Sequence, residues 1–315
     1  MRKTKNETHI EGLLYQHNLS LKTSSETSKN PGTQYISGTI DIATDDECLN
    51  IVSVHYTYVT PTTASGKTDS RYAVLMDILS GNFKNVVSDG VNKAAKLSVD
   101  SAIGLNEFYS DRNGEYELVS QKRNEGGFIR IASQLNANEA QRNTFRTDMI
   151  ITGVTHIDAD EDSKTEEKAV VKGYIFDFRQ ALLPVEYVAI NPKAIAYFEG
   201  LDASNVNPIF TQVRGQQVSM TIVSTVTEEN AFDVPEVREV KRTRREFVIT
   251  AANPEVYPWD EEGSITAMEV RKLLTDRETY LATLKKRQED YKNSVANAPS
   301  AFASVPVESK ETFKF

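Results

Sequence analysis

Aromatic and basic side chains lie two residues apart along several apolar segments of this sequence. Tyr56 and Tyr58 form one such pair, and Phe128 and Arg130 form another. In a β-strand, residues two apart point to the same face of the sheet. Proteins that hold single-stranded nucleic acids stack bases on flat side chains and bind phosphates with Lys and Arg, so the pattern predicts this chemistry. The alternative is that one aromatic stripe forms the core of each domain.

Each candidate contact residue is an aromatic or a basic residue on or beside a predicted strand. They are Tyr56, Tyr58, Phe108, Tyr109, Lys122, Arg123, Phe128, Arg130, Lys172, Tyr174, Arg179, Arg214, Lys241, Arg242, Arg244 and Arg245. For the tyrosines among them, exposure and burial are equally expected, because a phenol has a polar tip. The nearby Phe176 and Phe178 are expected in the core.

The segment Lys241-Arg242-Thr243-Arg244-Arg245 is the densest basic cluster in a chain whose formal net charge is -9. Because the field of the whole molecule repels anions, an anionic partner must meet a local basic surface. Two interpretations of the cluster stay open. It contacts phosphates, or it is a solvated edge strand whose charges prevent aggregation.

Sequence signatures of enzymes and metal sites are absent. The chain contains no P-loop, no G-x-G-x-x-G, no G-x-S-x-G and no H-E-x-x-H. Its four scattered histidines and its one cysteine, Cys48, show no zinc spacing. The acidic segment 158–162 lacks the glycine and glutamate of an EF-hand loop and is expected to be a solvated hairpin tip. We therefore expect no enzymatic activity, no cofactor and no bound metal.

The sequence also indicates where in the cell the protein is located. No apolar run approaches the roughly 20 residues that span a bilayer, and the polar N-terminus lacks the apolar core of a secretory signal. A single cysteine excludes an internal disulfide framework and suits a reducing compartment. The expected location is the cytoplasm, or the host cytoplasm if the chain is phage-encoded, without a membrane partner.

Alternating apolar residues organise the first half of the chain into a set of predicted strands. Its early elements are strands at Gln34–Ala43, Leu49–Thr60 and Arg71–Leu79 and a helical turn within Gly81–Val91. Three strands follow between Lys93 and Ile131, with a hinge at Gly104, an Asn-Gly turn at 111–114 and a kink at Gly126-Gly127. Strand, strand, strand, short helix, strand, strand is the order of an OB-type barrel.

A second set repeats this order with a clearer helix. Its predicted elements are strands at Asp148–Ile157, Lys168–Phe178, Leu182–Ile190, Phe210–Gln216 and Val218–Val226 and a helix at Pro192–Leu201. The predicted fold class is therefore mainly β, with two tandem OB-like five-stranded barrels plus a C-terminal α-helix. The predicted segments are a flexible arm 1–33, a first OB-like domain 34–135, a second OB-like domain 145–250, a helix 264–293 and a flexible tail 296–315. The helix is expected to pack on its own domain or on a partner.

The stretch KLSVDSAIGLNEFYSDRNGEYELVSQKRNEGGFIRI resembles the fourth and fifth strands of single-stranded DNA-binding proteins of the bacterial and phage OB-fold type. Val99 and Ala102 match the strand of that pattern, and Tyr109, Asp111 and Gly114 match its hairpin. FTQVRGQQVSM in the second set is a similar version, and YISGTIDIATDD extends the resemblance toward the N-terminus. The C-terminal FKF differs from the acidic, Pro-Phe-ended tip of the bacterial proteins.

The resemblance to a phage-type protein of this family implies largely sequence-independent binding of single-stranded DNA. Such a protein would protect or organise the strand during replication or recombination. Replication or recombination proteins are implied partners of the C-terminal region, and a homo-oligomer is a further expectation. The alternative is a structural or assembly protein, a virion or scaffold component that uses β-barrels as packing modules.

Overall fold

The computed structural model describes residues 3–112, 115–159, 166–229 and 235–296, with only the backbone at 111–112, 115–116, 220–229, 235–244 and 293–296. The elements of the first half are β1 (Asn6–His17), β2 (Ser20–Thr23), β3 (Gln34–Ala43), β4 (Ile51–Val59), α1 (Ser70–Leu79), α2 (Val86–Asp89), β5 (Lys96–Arg112) and β6 (Glu115–Ile131). Those of the second half are β7 (Asn143–Ile157), β8 (Lys168–Phe176), β9 (Leu182–Ala189), α3 (Pro192–Glu199), β10 (Ile209–Glu229), β11 (Pro235–Ala252) and α4 (Ala267–Ala296). Short 3-10 helices lie at Val91–Lys93 and Glu139–Gln141.

Each half of the sheet closes into a five-stranded barrel. The first barrel has the order β1-β3-β4-β6-β5 and closes where β5 pairs with β1. The second has the order β7-β8-β9-β11-β10 and closes where β10 pairs with β7. In both barrels the third and fifth strands run parallel, and a helix lies between the third and fourth strands. This is OB topology, a five-stranded Greek-key barrel, so the predicted fold class is confirmed.

The segment predicted as a flexible arm, 1–33, contains the first strand of the first barrel. Along β1, Ile10 and Leu14 are wholly buried in the alternating pattern of a half-buried strand. Gly12 lies so close to β3 that a Cβ there would be 2.0 Å from the carbonyl oxygen of Ala43. A threonine and a glycine occupy the other inward positions, so the apolar alternation is faint in the sequence. The arm prediction is therefore wrong for β1.

The segment predicted as a third strand, Arg71–Leu79, is helix α1. The Asp69 carboxylate caps this helix and accepts a hydrogen bond from the backbone N–H two residues on, at 3.0 Å. Leu75 and Ile78 point from it into the core of the first barrel. Their spacing of three is helical, but the apolar run around them fits a strand equally well. The helical turn predicted next is confirmed by α2.

Several predicted strand breaks lie inside continuous strands. β5 and β6 each have 17 residues, so neither the hinge at Gly104 nor the kink at Gly126-Gly127 ends a strand. The two adjacent glycines instead form a bulge opposite Ser101. A Cβ on Gly127 would lie 1.6 Å from the carbonyl oxygen of Asp100, so glycine permits the close approach. The bulge shifts the alternation while the pairing continues.

The basic segment Lys241–Arg245 lies in β11, the fifth strand of the second barrel. The sequence interpretation divided β10 into two strands and thus assigned the fifth position to Val218–Val226, which is wrong because β10 runs unbroken over 21 residues. The predicted tail after Ala296, the turn residues Asn113-Gly114 and most of the acidic tip 158–167 lie outside the described residues.

The C-terminal helix α4 packs on its own chain through its first half. A capping box begins it, because Thr266 Oγ1 accepts from the Glu269 N–H at 3.1 Å and Glu269 Oε2 accepts from the Thr266 N–H at 2.9 Å. Leu273 and Trp259 contact a small core on the second barrel, beside Phe210. The predicted C-terminal helix is confirmed, and the second barrel is the surface that its first turns cover.

The substitution Ile10→Ala is expected to lower the free energy of unfolding by about 2–5 kcal/mol, because it leaves a cavity in the first barrel. Lys22→Ala, on the exposed face of β2, is the matched control and is expected to change it by less than about 0.5 kcal/mol. Urea denaturation followed by circular dichroism measures both. An unchanged midpoint for Ile10→Ala would show that β1 is not part of the barrel.

Candidate nucleic-acid interface

A cleft of 230 Å³ lies where the two barrels meet, lined by β4 and β6 of the first barrel and β10 and β11 of the second. We call it the basic cleft. Lys122 and Arg123 line it from β6, and Arg245 lines it from β11. Among the described residues that line it, the one carboxylate is that of Glu246. Three predicted contact residues from different barrels are thus brought together in a locally basic surface.

Lys122 anchors the β5–β6 hairpin of the first barrel to the second barrel. Its Nζ donates a hydrogen bond to the backbone carbonyl of Glu186. The same nitrogen lies 5.1 Å from the ring centroid of Phe247 and 5.7 Å from that of Tyr187. Burial lowers the pKa of Lys122, against the opposing effect of nearby carboxylates. Lys122 therefore holds the two barrels together in addition to contributing positive charge to the basic cleft.

The two arginines of the basic cleft differ in how they are paired. Arg123 Nη2 lies 2.8 Å from Glu125 Oε1, and the arginine side chain is 23% exposed. Arg245 is exposed, and within the described part of the chain it forms no ion pair with a carboxylate. Arg245 is therefore available to a bound anion, whereas Arg123 would exchange its carboxylate for one.

Side-chain amides beside these cations connect the two barrels. Asn124 and Gln217 exchange two hydrogen bonds of 2.8 Å through their amide groups, one in each direction. Asn124 also donates to the Ser53 carbonyl at 3.0 Å. Asn50 donates to the Gln217 carbonyl at 3.1 Å and accepts from the Ser219 N–H at 2.7 Å. These contacts hold β4 and β6 against β10.

His55 lines the basic cleft from β4. Its Nδ1 lies 3.0 Å from Thr39 Oγ1 on the neighbouring strand. Burial lowers the pKa of His55, and the positive charges of Arg123 and Arg245 lower it further. A bound phosphate would oppose the effect of both arginines and favour protonation of this imidazole.

A second cleft, of 380 Å³, extends from Lys122 over the face of the second barrel. We call it the β8 cleft, because Lys172 and Tyr174 line it from β8. Lys172 is half exposed, and its Nζ lies 3.5 Å from Glu186 Oε1. Lys122 lines both clefts, so they form one surface across the two barrels. The predicted contact residues Lys172 and Tyr174 thus lie on the same surface as Lys122 of the first barrel.

The predicted pair of tyrosines on β4 is divided between the core and the surface. Tyr56 is 2% exposed, and burial raises the pKa of its hydroxyl, so its prediction as a base contact is wrong. The expectation that Tyr56 and Tyr58 share a face is also wrong, because a bulge places two residues of β4 opposite Ser37. Tyr58 is 46% exposed and packs on Tyr35, with ring centroids 4.5 Å apart.

Other predicted contacts lie outside the two clefts. They are Phe108 and Tyr109 on β5, Phe128 and Arg130 on β6, Arg179 after β8, and Arg214 on β10. Arg130 pairs with Asp100 at 2.6 Å. The side chains of Lys241, Arg242 and Arg244 lie outside the described part, although their backbone continues β11 from Arg245.

The two phenylalanines expected in the core behave differently. Phe176 is buried as predicted, whereas Phe178 is 82% exposed, so its core prediction is wrong. Phe178 follows the last residue of β8 and lies in the turn to β9, where strand alternation no longer applies. Sequence reasoning also missed His55, Asn124 and Gln217. Their roles depend on contacts between the barrels, and no local pattern marks them.

Two further observations concern the described residues only. No group of three or more His, Cys, Asp or Glu side chains there is placed to hold a metal ion. None of the helices in those segments combines the length and apolar character needed to span a membrane.

The strand order and the basic cleft define a protein of two OB barrels fused in one sheet. The chain matches the family model described as YorF over residues 5–286, and it belongs to the YorF family. No curated protein matches it.

Two solved structures similar to this chain are both of the single-stranded DNA binding protein from Thermus aquaticus. The wild-type crystal structure shares 12% identity with a TM-score of 0.45, covering 84% of this chain and 98% of that one. A deletion mutant of the same protein shares 10% identity with a TM-score of 0.45, covering 82% of this chain and 98% of that one. The two barrels are defined here by their own strand order and closing pairs.

The pKa of His55 is expected below the free value of about 6.5, and Arg245→Ala is expected to raise it because one repelling charge is removed. Since the folded state disfavours the imidazolium, the protein is expected to lose stability as the pH falls from about 6.5 toward the folded pKa. NMR titration of the imidazole measures the shift. Lys193→Ala, on α3, is the control, and a His55 pKa above 6.5 would contradict the assignment.

Proposed function

We propose that this protein binds single-stranded DNA, largely independently of sequence, across the basic cleft and the β8 cleft. The observation that carries the proposal is the meeting of Lys122, Arg123 and Arg245, from both barrels, against one carboxylate among the described lining residues. In a chain of net charge -9, such a local reversal of charge is the surface that an anionic partner would meet.

The location of both clefts supports this proposal. OB folds bind oligonucleotides on the face of their second and third strands. The basic cleft is lined by β4, the third strand of the first barrel. The β8 cleft is lined by β8 and β9, the second and third strands of the second barrel. Single-stranded DNA held in both clefts would therefore contact each barrel on the surface where OB folds bind oligonucleotides.

The chemistry of the lining residues supports independence from sequence. A guanidinium binds phosphate oxygens through two parallel hydrogen bonds, which carry no information about the base. The ring of Tyr174 offers a stacking surface in the β8 cleft, and every base has a π-face. The described lining thus favours backbone contacts and stacking over reading of base edges.

The proposal extends to the processes in which single strands arise. We place the protein in DNA replication or recombination, in the cytoplasm of its cell or of the host if it is phage-encoded. Partner proteins reached through the C-terminal region, and a homo-oligomer, belong to the same proposal.

Fluorescence anisotropy with labelled oligo-dT at low salt tests the proposal. Binding is expected at micromolar protein or below, and it should weaken as salt rises because phosphate contacts release counterions. An oligonucleotide that stays free at micromolar protein would contradict the proposal. Large assemblies in light scattering, together with no binding, would favour the structural alternative.

Arg245→Ala is expected to weaken binding of oligo-dT by about tenfold, the equivalent of one charge-assisted contact, and to reduce the slope of log affinity against log salt by about 0.7. Arg123→Ala is expected to have a smaller effect on both quantities, because Arg123 must first release the Glu125 carboxylate. Lys193→Ala, an exposed lysine of α3 outside both clefts, is the matched control and should change neither quantity. Unchanged affinity in both arginine variants would show that the basic cleft does not bind the strand.

A further inference from the structure

A third cleft, of 750 Å³, lies between the β5–β6 hairpin, the β8–β9 turn and α4. We call it the aromatic cleft. Phe128 is 68% exposed, Phe178 is 82% exposed and Tyr280 is 49% exposed, and all three line it. Exposed apolar side chains that cluster around one cavity mark an interaction site, whereas single exposed apolar side chains are common on any protein surface. The proposed binding in the other two clefts does not explain these rings.

The turn that carries Phe178 is built around hydrogen bonds. Asp177 Oδ1 accepts from the backbone N–H groups of Arg179 and Ala181, both at 2.8 Å. The Gln180 side-chain oxygen accepts from Thr4 Oγ1 at 2.7 Å, which ties the turn to the N-terminal segment. These hydrogen bonds fix the backbone of the turn that carries the exposed ring, so binding need not order that backbone.

The other two rings are carried by a strand and a helix. Phe128 follows the glycine bulge of β6, and its neighbour Ile129 is 4% exposed, so alternation directs Phe128 outward. Tyr280 comes from α4, one turn after Arg277. Arg277 Nη2 lies 2.6 Å from Glu107 Oε1, and this pair, buried between α4 and β5, fixes the helix against the hairpin.

In the free protein, three of the five described carboxylates that line the aromatic cleft are paired with arginines. Its paired carboxylates and their arginines are Asp100 with Arg130 at 2.6 Å, Glu107 with Arg277 at 2.6 Å and Glu125 with Arg123 at 2.8 Å. Asp177 accepts the hydrogen bonds of its own turn, which leaves Asp276. Arg179 lies over the Phe178 ring at 5.0 Å and, within the described residues, has no ion pair. The cleft therefore offers flat rings beside an unpaired guanidinium.

The β8 cleft shares a lining residue with each of the other two clefts. Lys122 lines both the basic cleft and the β8 cleft, and Leu105 lines both the β8 cleft and the aromatic cleft. A DNA strand that leaves the basic cleft would pass Lys122 and Leu105 to reach Phe178 on the second barrel and Phe128 on the first.

We infer that the aromatic cleft is a base-stacking subsite that extends the DNA path beyond the two OB faces. A nucleotide joins a flat ring to an anionic phosphate, which matches rings beside Arg179, whereas an apolar peptide would leave that guanidinium unneutralised. The inference rests on the proposed function, because the same strand must occupy the other clefts. It assigns Phe128, Phe178 and Tyr280 to base stacking and Arg179 to phosphate contact.

The inference predicts a dependence on oligonucleotide length. An OB fold holds about 4–16 nucleotides, so an oligo-dT of about five nucleotides fills the basic cleft alone, while one of about 30 reaches the aromatic cleft. Phe178→Ala is expected to weaken binding of the long oligonucleotide by about 5- to 150-fold, the effect of losing one stacked base. Binding of the short one should not change.

Anisotropy titrations of the full chain with both oligonucleotides make the test, with Phe128→Ala as a second variant. Tyr291→Ala, an exposed aromatic on the distal part of α4 outside the cleft, is the matched control and should leave both affinities unchanged. Photocrosslinking to a long oligonucleotide that carries 5-iodouracil gives an independent readout, with crosslinks expected at Phe128, Phe178 or Tyr280. Since Phe178 is exposed, its variant should keep the wild-type melting curve.

Two results would overturn the inference, and they are distinguishable. If the wild-type protein binds the long oligonucleotide while both phenylalanine variants bind it equally well and no crosslink maps to the cleft, the subsite is absent and the proposed function stands. If the wild-type protein binds neither oligonucleotide, the proposed function fails and the subsite with it.

Discussion

The antiparallel pairing of β1 with β7 joins the two barrels into one continuous sheet. β1 also pairs with β3 and β5, so one strand both closes the first barrel and carries the junction. The reciprocal amide hydrogen bonds of Asn124 and Gln217 and the half-buried Lys122 fix the barrels a second time, away from that strand. Arg123 and Arg245 therefore converge before any ligand arrives, and binding need not order two separate domains.

An acidic chain can still bind an anion in a basic cleft, because ion pairing within the protein decides which charges a ligand meets. Arg123 and Arg130 are held by carboxylates in the free protein, whereas Arg245 and Arg179 have no such partner among the described residues. A polyanion would replace paired carboxylates at some positions and meet free cations at others. The net contribution of a paired arginine to binding is then smaller than that of an unpaired arginine, which favours a modest salt dependence.

Much of the fold could be predicted from alternation, since Leu97 and Val99 alternate as a barrel strand must. β1 was missed because a threonine and a glycine occupy inward positions, and α1 was missed because an apolar run fits a helix or a strand. The bulge opposite Ser37 that turns Tyr58 outward leaves no mark in the residues around it. The candidate cleft was the least predictable feature, because its cations come from strands far apart in sequence that meet only when the barrels dock.

We propose that single-stranded DNA lies in the basic cleft between the barrels. A crystal structure of the full chain bound to oligo-dT is the decisive test. Phosphate oxygens are expected within hydrogen-bond distance of Arg123 and Arg245, with the DNA strand continuing past Lys122 toward Tyr174. A strand bound elsewhere on the molecule, with both arginines free of phosphate, would contradict the proposal.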